Sequence, residues 1–236
     1  MMAQYDHIAE AYNQMRGRIK SYVNTPTLVH VVGNIQGKEV LDAGCGAGYF
    51  TRVLAEQNPK KIIGADVSEK MIALARRDSS NIEFFVSNVF DLDLGKQFDV
   101  VTSTYLLNYS ETEQELGAMC SILSSHLKDG GRLAGITLNP DFKPMKEFQY
   151  SRKFSNGKDS FEDGDKVLCE LKGDMPFNFT CFYWSKEVYE SCFRKAGFSK
   201  VQWVEPIISP EGLALGPDHW YNFLENHSPI GFICEK

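Results

Sequence analysis

No two of the six cysteines, at positions 45, 120, 169, 181, 192 and 234, form a C-x-x-C pair, and no leader of basic, apolar and small residues opens the sequence. Scattered cysteines without a leader exclude a secreted disulfide framework and fit free thiols in a cytoplasmic protein. No apolar stretch approaches the ~20 residues that a membrane span needs. Basic charge is not in excess: 25 Lys and Arg stand against 31 Asp and Glu, a formal net charge of -6. That balance gives no electrostatic reason to bind DNA or RNA. Repeats, heptads and low-complexity tracts are missing, which excludes solenoids and coiled coils. A phosphate-binding G-x-x-x-x-G-K loop is also missing, and with it the P-loop nucleotide enzymes. What remains is 236 residues with 43% hydrophobic and 24% charged composition, enough for one α/β domain with an insertion.

The chain is organised around residues 38 to 50. The apolar run Val40–Leu41 ends in Asp42, glycines stand at 44, 46 and 48, and an apolar helical pattern follows at once. That order reads as strand, tight turn and helix. Glycines allow positive φ and close approach of a ligand, and the free N–H groups of the next helix would face it. Asp66 closes a second apolar run, Ile62–Ile63–Gly64–Ala65, where a carboxylate suits the hydroxyls of a ribose. A dinucleotide fingerprint needs G-x-G-x-x-G/A, and here the small final position is filled by Tyr49. Asp42 would repel a pyrophosphate and attract a cation.

Val40–Leu41–Asp42–Ala43–Gly44–Cys45–Gly46–Ala47–Gly48 resembles the first motif of class I S-adenosylmethionine-dependent methyltransferases, V-L-D-x-G-C-G-x-G. The resemblance implies a Rossmann-like, seven-stranded, mostly parallel sheet with an antiparallel last strand and helices on both faces. It implies S-adenosylmethionine as cofactor, leaving as S-adenosylhomocysteine. Gly44, Cys45 and Gly46 would hold the methionine moiety, with Asp42 near it; Asp66 and Val67 would meet the ribose. Asn88, standing where the family has an aspartate, would accept from the adenine amino group beside Val89. Met71 would border the adenine or fill the core. Thr104 and Tyr105 close strand four beside the methionine, with Asn108 and Tyr109 facing the methyl group. Tyr5–Asp6–His7–Ile8–Ala9–Glu10–Ala11–Tyr12 resembles the Y-D-x-I-A-x-x-Y opening of small-molecule members, a lid that would bring Tyr5 and Tyr12 to the cofactor. Together with Leu106–Leu107–Asn108–Tyr109, it resembles the toxoflavin-pathway (azapteridine) N-methyltransferases.

The remaining expectations divide the chain into a helical lid (1–36), a cofactor core (37–139), an insertion (140–184) and a closing helix and strands (185–236). Strand five is expected over Arg132–Leu138, and Ser110-x-x-Glu113 reads as a capping box for the preceding helix. The insertion reads as irregular through residue 165, then as an antiparallel hairpin with runs at 166–171 and 177–184. Lying over the sheet end, it would cap a substrate pocket with aromatic side chains or simply bury them. Asn139, Tyr183 and Trp184 join Tyr109 as acceptor-site candidates; Tyr5, Asn108, Tyr109 and His219 are the candidates for catalysis. No metal site is read. The expected activity is methyl transfer to a nitrogen or oxygen of a small ring-containing metabolite. Two alternatives stay open: an NAD(P)-dependent oxidoreductase, and a non-catalytic S-adenosylmethionine-binding subunit of a partner.

Overall fold

A computed structural model describes residues 9–10, 19–172 and 176–236. Tyr5 and Tyr12 lie outside the described residues. Helix α1 (Thr25–Val32) is entered through one π-helical turn, Lys20–Asn24. Strand β1 (Glu39–Ala43) passes through the glycine turn into α2 (Tyr49–Ala55), and β2 (Lys61–Asp66) into α3 (Glu69–Arg77). Next come β3 (Glu83–Val86), β4 (Phe98–Thr104), a 3-10 turn (Leu107–Tyr109) and α4 (Glu113–Ser125). Strand β5 (Leu127–Leu138) leads into β6 (Arg152–Ser155), β7 (Lys166–Leu171) and β8 (Phe177–Phe182). The chain closes with α5 (Lys186–Lys195), β9 (Lys200–Val204), α6 (Pro210–Leu213), α7 (Pro217–Glu225) and β10 (Pro229–Glu235).

The large sheet has the order β3-β2-β1-β4-β5-β10-β9. Strands β1 to β5 pair in parallel, whereas β10 runs antiparallel to both β5 and β9. Strands buried on both faces need continuous apolar runs, as Val40–Leu41 and Val100–Val101 supply. One face packs under α4 and α5 through Leu116, Leu123, Tyr189, Phe193 and Phe232. The other packs under α1 and α2 through Leu28, Val31, Val32 and Leu54. The expected Rossmann-like sheet with its antiparallel strand is therefore the observed one. The carboxyl ends of β1, β2 and β4 meet on one edge, with the order reversing between β1 and β4, where open α/β sheets bind ligands.

Three local expectations are corrected. The insertion is a three-stranded sheet, β6-β7-β8, because residues 152–155, read as part of an irregular tract, pair with β7. Their alternation is too short to be told from a turn by periodicity. Helix α4 is capped by Thr112, not Ser110: the Thr112 hydroxyl accepts from Glu115 N–H, and the Glu115 carboxylate accepts from Glu111 N–H. Ser110 is buried and donates to the Leu107 carbonyl. Strand β5 starts at Leu127 rather than Arg132, with the Lys128–Gly131 stretch carried as an irregularity against β4. No helix among the described residues is long and apolar enough to cross a membrane.

Candidate active site

The turn after β1 works because its glycines adopt left-handed conformations that strain other residues. Gly44, Gly46 and Gly48 have φ of 73, 53 and 75°. A Cβ on Gly48 would stand 2.9 Å from the Phe84 ring, whereas one on Gly46 would meet nothing within 4 Å. Gly48 is thus demanded by packing as well as by its φ, whereas Gly46 is favoured by its φ alone and leaves open space beside the turn. The N–H groups of Gly44 and Cys45 donate to the Ala65 carbonyl at 2.8 and 3.0 Å. That of Gly46 donates to Asp66 Oδ2 at 2.9 Å, and Asp66 Oδ1 accepts from Ser68 N–H at 2.9 Å. These three amides are spent inside the protein, so the polar groups this part of the turn offers a ligand are carbonyl oxygens. Asp66 ends β2 against the turn, next to Val67.

Asp42 is buried, and the β1–β4 register sets it beside Thr102. Its Oδ2 accepts from Thr51 at 2.6 Å and its Oδ1 from Thr102 at 2.9 Å. Burial pushes its carboxyl up to about 6, opposed by the two threonine hydrogen bonds and reinforced by the Asp66 charge.

Two adjoining concavities open at this sheet edge. The first, a hollow of about 410 Å³ counting the part open to solvent, is lined by the Gly44–Ala47 turn, Lys20, Tyr49, Phe50, Thr104 and Tyr105. Thr104 Oγ1 is buried there with no hydrogen-bond partner. The second, a cleft of about 700 Å³ counting the part open to solvent, lies between the sheet edge and the inner face of the insertion. Phe50, Tyr105, Tyr109, Phe154 and Phe179 wall it, and Asn108, Lys20 and Arg152 are its main polar lining. Asn108 is 2% exposed, and its Oδ1 has no hydrogen-bond partner. Tyr105 carries a positive φ of 58°, and its hydroxyl donates to Asn24 Oδ1 at 3.2 Å. A left-handed conformation costs a bulky residue roughly 1–2 kcal/mol, so the surrounding contacts must impose it. Burial raises the Tyr109 hydroxyl well above its ordinary range.

Other candidates stand elsewhere. Asn88 Oδ1 accepts from Phe90 N–H at 3.2 Å and caps the 3-10 turn Val89–Asp91, a turn role that leaves one lone pair. Met71 is buried with Ala9, Ala47 and Leu74. Asn139 bonds the His227 carbonyl and Asp141 N–H, Tyr183 donates to the Pro140 carbonyl, and Trp184 donates to the Ser110 carbonyl. These three lie at the two ends of the insertion and line neither concavity. His219 packs its ring against Tyr150 and Trp220, also away from both. Lys20 and Arg152 were not singled out in the sequence, because isolated cations in polar stretches carry no local signal. Lys20 Nζ sits 4.0 Å from the Tyr49 ring centroid, and burial, then the Arg52 guanidinium, pulls it down to about 8. Among the described residues, no cluster of His, Cys, Asp and Glu could hold a metal ion.

Residues 40–131 match the model of a methyltransferase domain. Over this segment the chain is similar to methyltransferase domains. A ubiquinone biosynthesis O-methyltransferase of Coxiella burnetii is 29% identical over 151 residues, covering 60% of this chain and 63% of the relative. The chain spans less than two thirds of the length of the curated relatives it matches. An S-adenosylmethionine-dependent methyltransferase from Mesorhizobium loti has the same fold, with a TM-score of 0.66 at 17% identity over 89% of this chain and 96% of that one. So does CalS10, an amino pentose methyltransferase from Micromonospora echinaspora whose structure holds bound S-adenosylmethionine, with a TM-score of 0.59 at 17% identity over 99% and 92%. The cofactor of this domain class is S-adenosylmethionine, and the site fits it: an open glycine face, an unpartnered Thr104 hydroxyl and a buried carboxylate suited to a cation.

Proposed function

We propose that the protein transfers a methyl group from S-adenosylmethionine to a nitrogen or oxygen of a small, ring-containing metabolite. One observation carries this reading: the glycine-turn hollow and the aromatic cleft share Lys20, Phe50 and Tyr105 as lining. A donor held in the first would meet an acceptor held in the second. The cofactor brings an activated sulfonium methyl, so the protein's work is to position the acceptor and exclude water. Asp66 takes the ribose, Asn88 and Val89 the adenine, and the turn carbonyls with Thr104 the amino acid end. Asn108 Oδ1 accepts from the acceptor's N–H or O–H and aims its lone pair at the methyl. Tyr105 and Tyr109 flank that line with ring faces that favour a sulfonium.

In this reading residues 1–236 act as one unit, with residues 140–184 as the substrate cap and the lid segment bringing Tyr5 over the cofactor. The narrower likeness to azapteridine N-methyltransferases belongs here too. An oxidoreductase reading is disfavoured by Tyr49, which lies in the hollow wall where a dinucleotide fold needs a small residue. Leu213, Leu215, Tyr221 and Leu224 are exposed on and beside α6 and α7. A partner-dependent subunit would use such a face, but it would not need the aromatic cleft. Calorimetric titration with S-adenosylmethionine, S-adenosylhomocysteine and NAD decides the cofactor. Micromolar binding of the first two without NAD is expected; NAD binding alone would overturn the reading.

A further inference from the structure

The cleft has an electrostatic character opposite to that of the whole chain. The protein carries a formal charge of -6, yet among the described residues lining the cleft the only side chains charged at neutral pH are Lys20 and Arg152. Among the described residues, no Asp or Glu lines it. The two cations come from opposite sides: Lys20 from the π-helical turn, shared with the glycine-turn hollow, and Arg152 from β6 of the insertion, in the cleft alone. Arg152 sits opposite Leu171 on β7 and, like Phe154 two residues further along the same face of β6, lines the cleft. Between them lie aromatic walls and the unpartnered Oδ1 of Asn108.

We propose that the methyl acceptor is an anion: an apolar, ring-bearing molecule whose oxyanion, a carboxylate or a phosphate monoester, is held by Arg152 with the Lys20 charge in support. A guanidinium presents a planar fork that matches such oxyanions in two hydrogen bonds, and a low-dielectric wall strengthens the attraction. Engaging the oxyanion at the Arg152 end leaves the ring along the aromatic walls and its nucleophile toward Asn108 and the hollow. Ammonium-bearing acceptors are selected against by the same two charges. This inference rests on the methyltransferase reading only in taking the cleft as the acceptor site.

The test is calorimetry on the full chain saturated with S-adenosylhomocysteine. Matched one-ring and two-ring probes are titrated as carboxylate, primary amide and amine (benzoate, benzamide and benzylamine; the 2-naphthyl set), with phenyl phosphate separating the two oxyanions. Carboxylate or phosphate probes should bind at least about tenfold tighter than the amides, as a charge-assisted hydrogen bond allows. Arg152→Met should abolish that preference and Arg152→Lys restore part of it, with the affinity for S-adenosylhomocysteine unchanged within about twofold because Arg152 does not line the hollow. Amides that bind as well as acids, no binding by any anionic probe, or a preference that survives both Arg152→Met and Lys20→Met would overturn the proposal. Failure of S-adenosylhomocysteine to bind would instead strike the cofactor reading, and the acid–amide comparison on the unliganded protein would still decide the charge preference of the cleft.

Discussion

Two carboxylates stand at or next to the ends of neighbouring strands, and their surroundings give them different work. Asp66 holds two backbone N–H groups and sits beside the turn; Asp42 is sealed under it by Thr51 and Thr102. Asp66→Ala should weaken binding of S-adenosylmethionine by more than tenfold, because it removes both the expected ribose contact and the acceptor that pins Gly46. Unchanged affinity by calorimetry would remove Asp66 from the site. For Asp42 the folded-state value, about 6, stands above the ordinary 3.8, so its stabilising contribution is full below 3.8 and is lost as pH rises through about 6. The cost at neutral pH is on the order of 3 kcal/mol. Asp42→Asn should therefore gain stability relative to the parent protein as pH rises from roughly 4.5 to 7, measured by urea unfolding of both. In the same window the parent should bind the sulfonium cofactor more tightly as pH rises, since only the ionised carboxyl attracts a cation. Gly46→Ala and Gly48→Ala separate the turn's two duties. Each pays for a left-handed alanine, about 1 kcal/mol, but Gly48→Ala also clashes with Phe84 and should lose more stability, whereas Gly46→Ala should lose more cofactor affinity.

At the scale of elements, what the chain revealed in advance depended on how local the cause was. The strand–turn–helix at residues 39–55 was legible because glycine spacing and apolar runs are local. So was the start of α5, where Ser185 Oγ accepts from Val188 N–H. Strand β6 was not legible: four half-buried residues become a strand only because β7 offers its edge. Helix α4 shows the same limit, since Ser110 and Thr112 are both good caps by type and only the turn after β4 decides between them. Thr112→Ala should cost about 1 kcal/mol in urea unfolding.

At the scale of the molecule, the site is assembled from segments far apart in sequence. Lys20 and Asn24 precede the first strand, Tyr105 and Asn108 follow β4, and Arg152 and Phe179 come from the insertion. Most residues lining the glycine-turn hollow could be named from the sequence because most of its wall is one contiguous turn. The cleft was foreseen only as an aromatic cap, because its polar groups converge through tertiary structure alone. Asn139, Tyr183 and Trp184 illustrate the difference. Their types suit a binding pocket, yet the fold uses their polar atoms to fasten the insertion to the sheet.

That fastening has a consequence for inheritance. The insertion leaves the sheet at Asn139–Pro140 and returns at Tyr183–Trp184, and the Tyr183 hydroxyl donates to the Pro140 carbonyl, so its two ends meet. Trp184 and Asn139 tie the same junction to the carbonyls of Ser110 and His227. A segment whose ends already touch can be exchanged for another of different length without moving the sheet, the glycine turn or Asp66. On the proposed function, exchange at these two points would alter the acceptor cleft and leave the glycine-turn hollow as it is, so the segment would behave as a cassette.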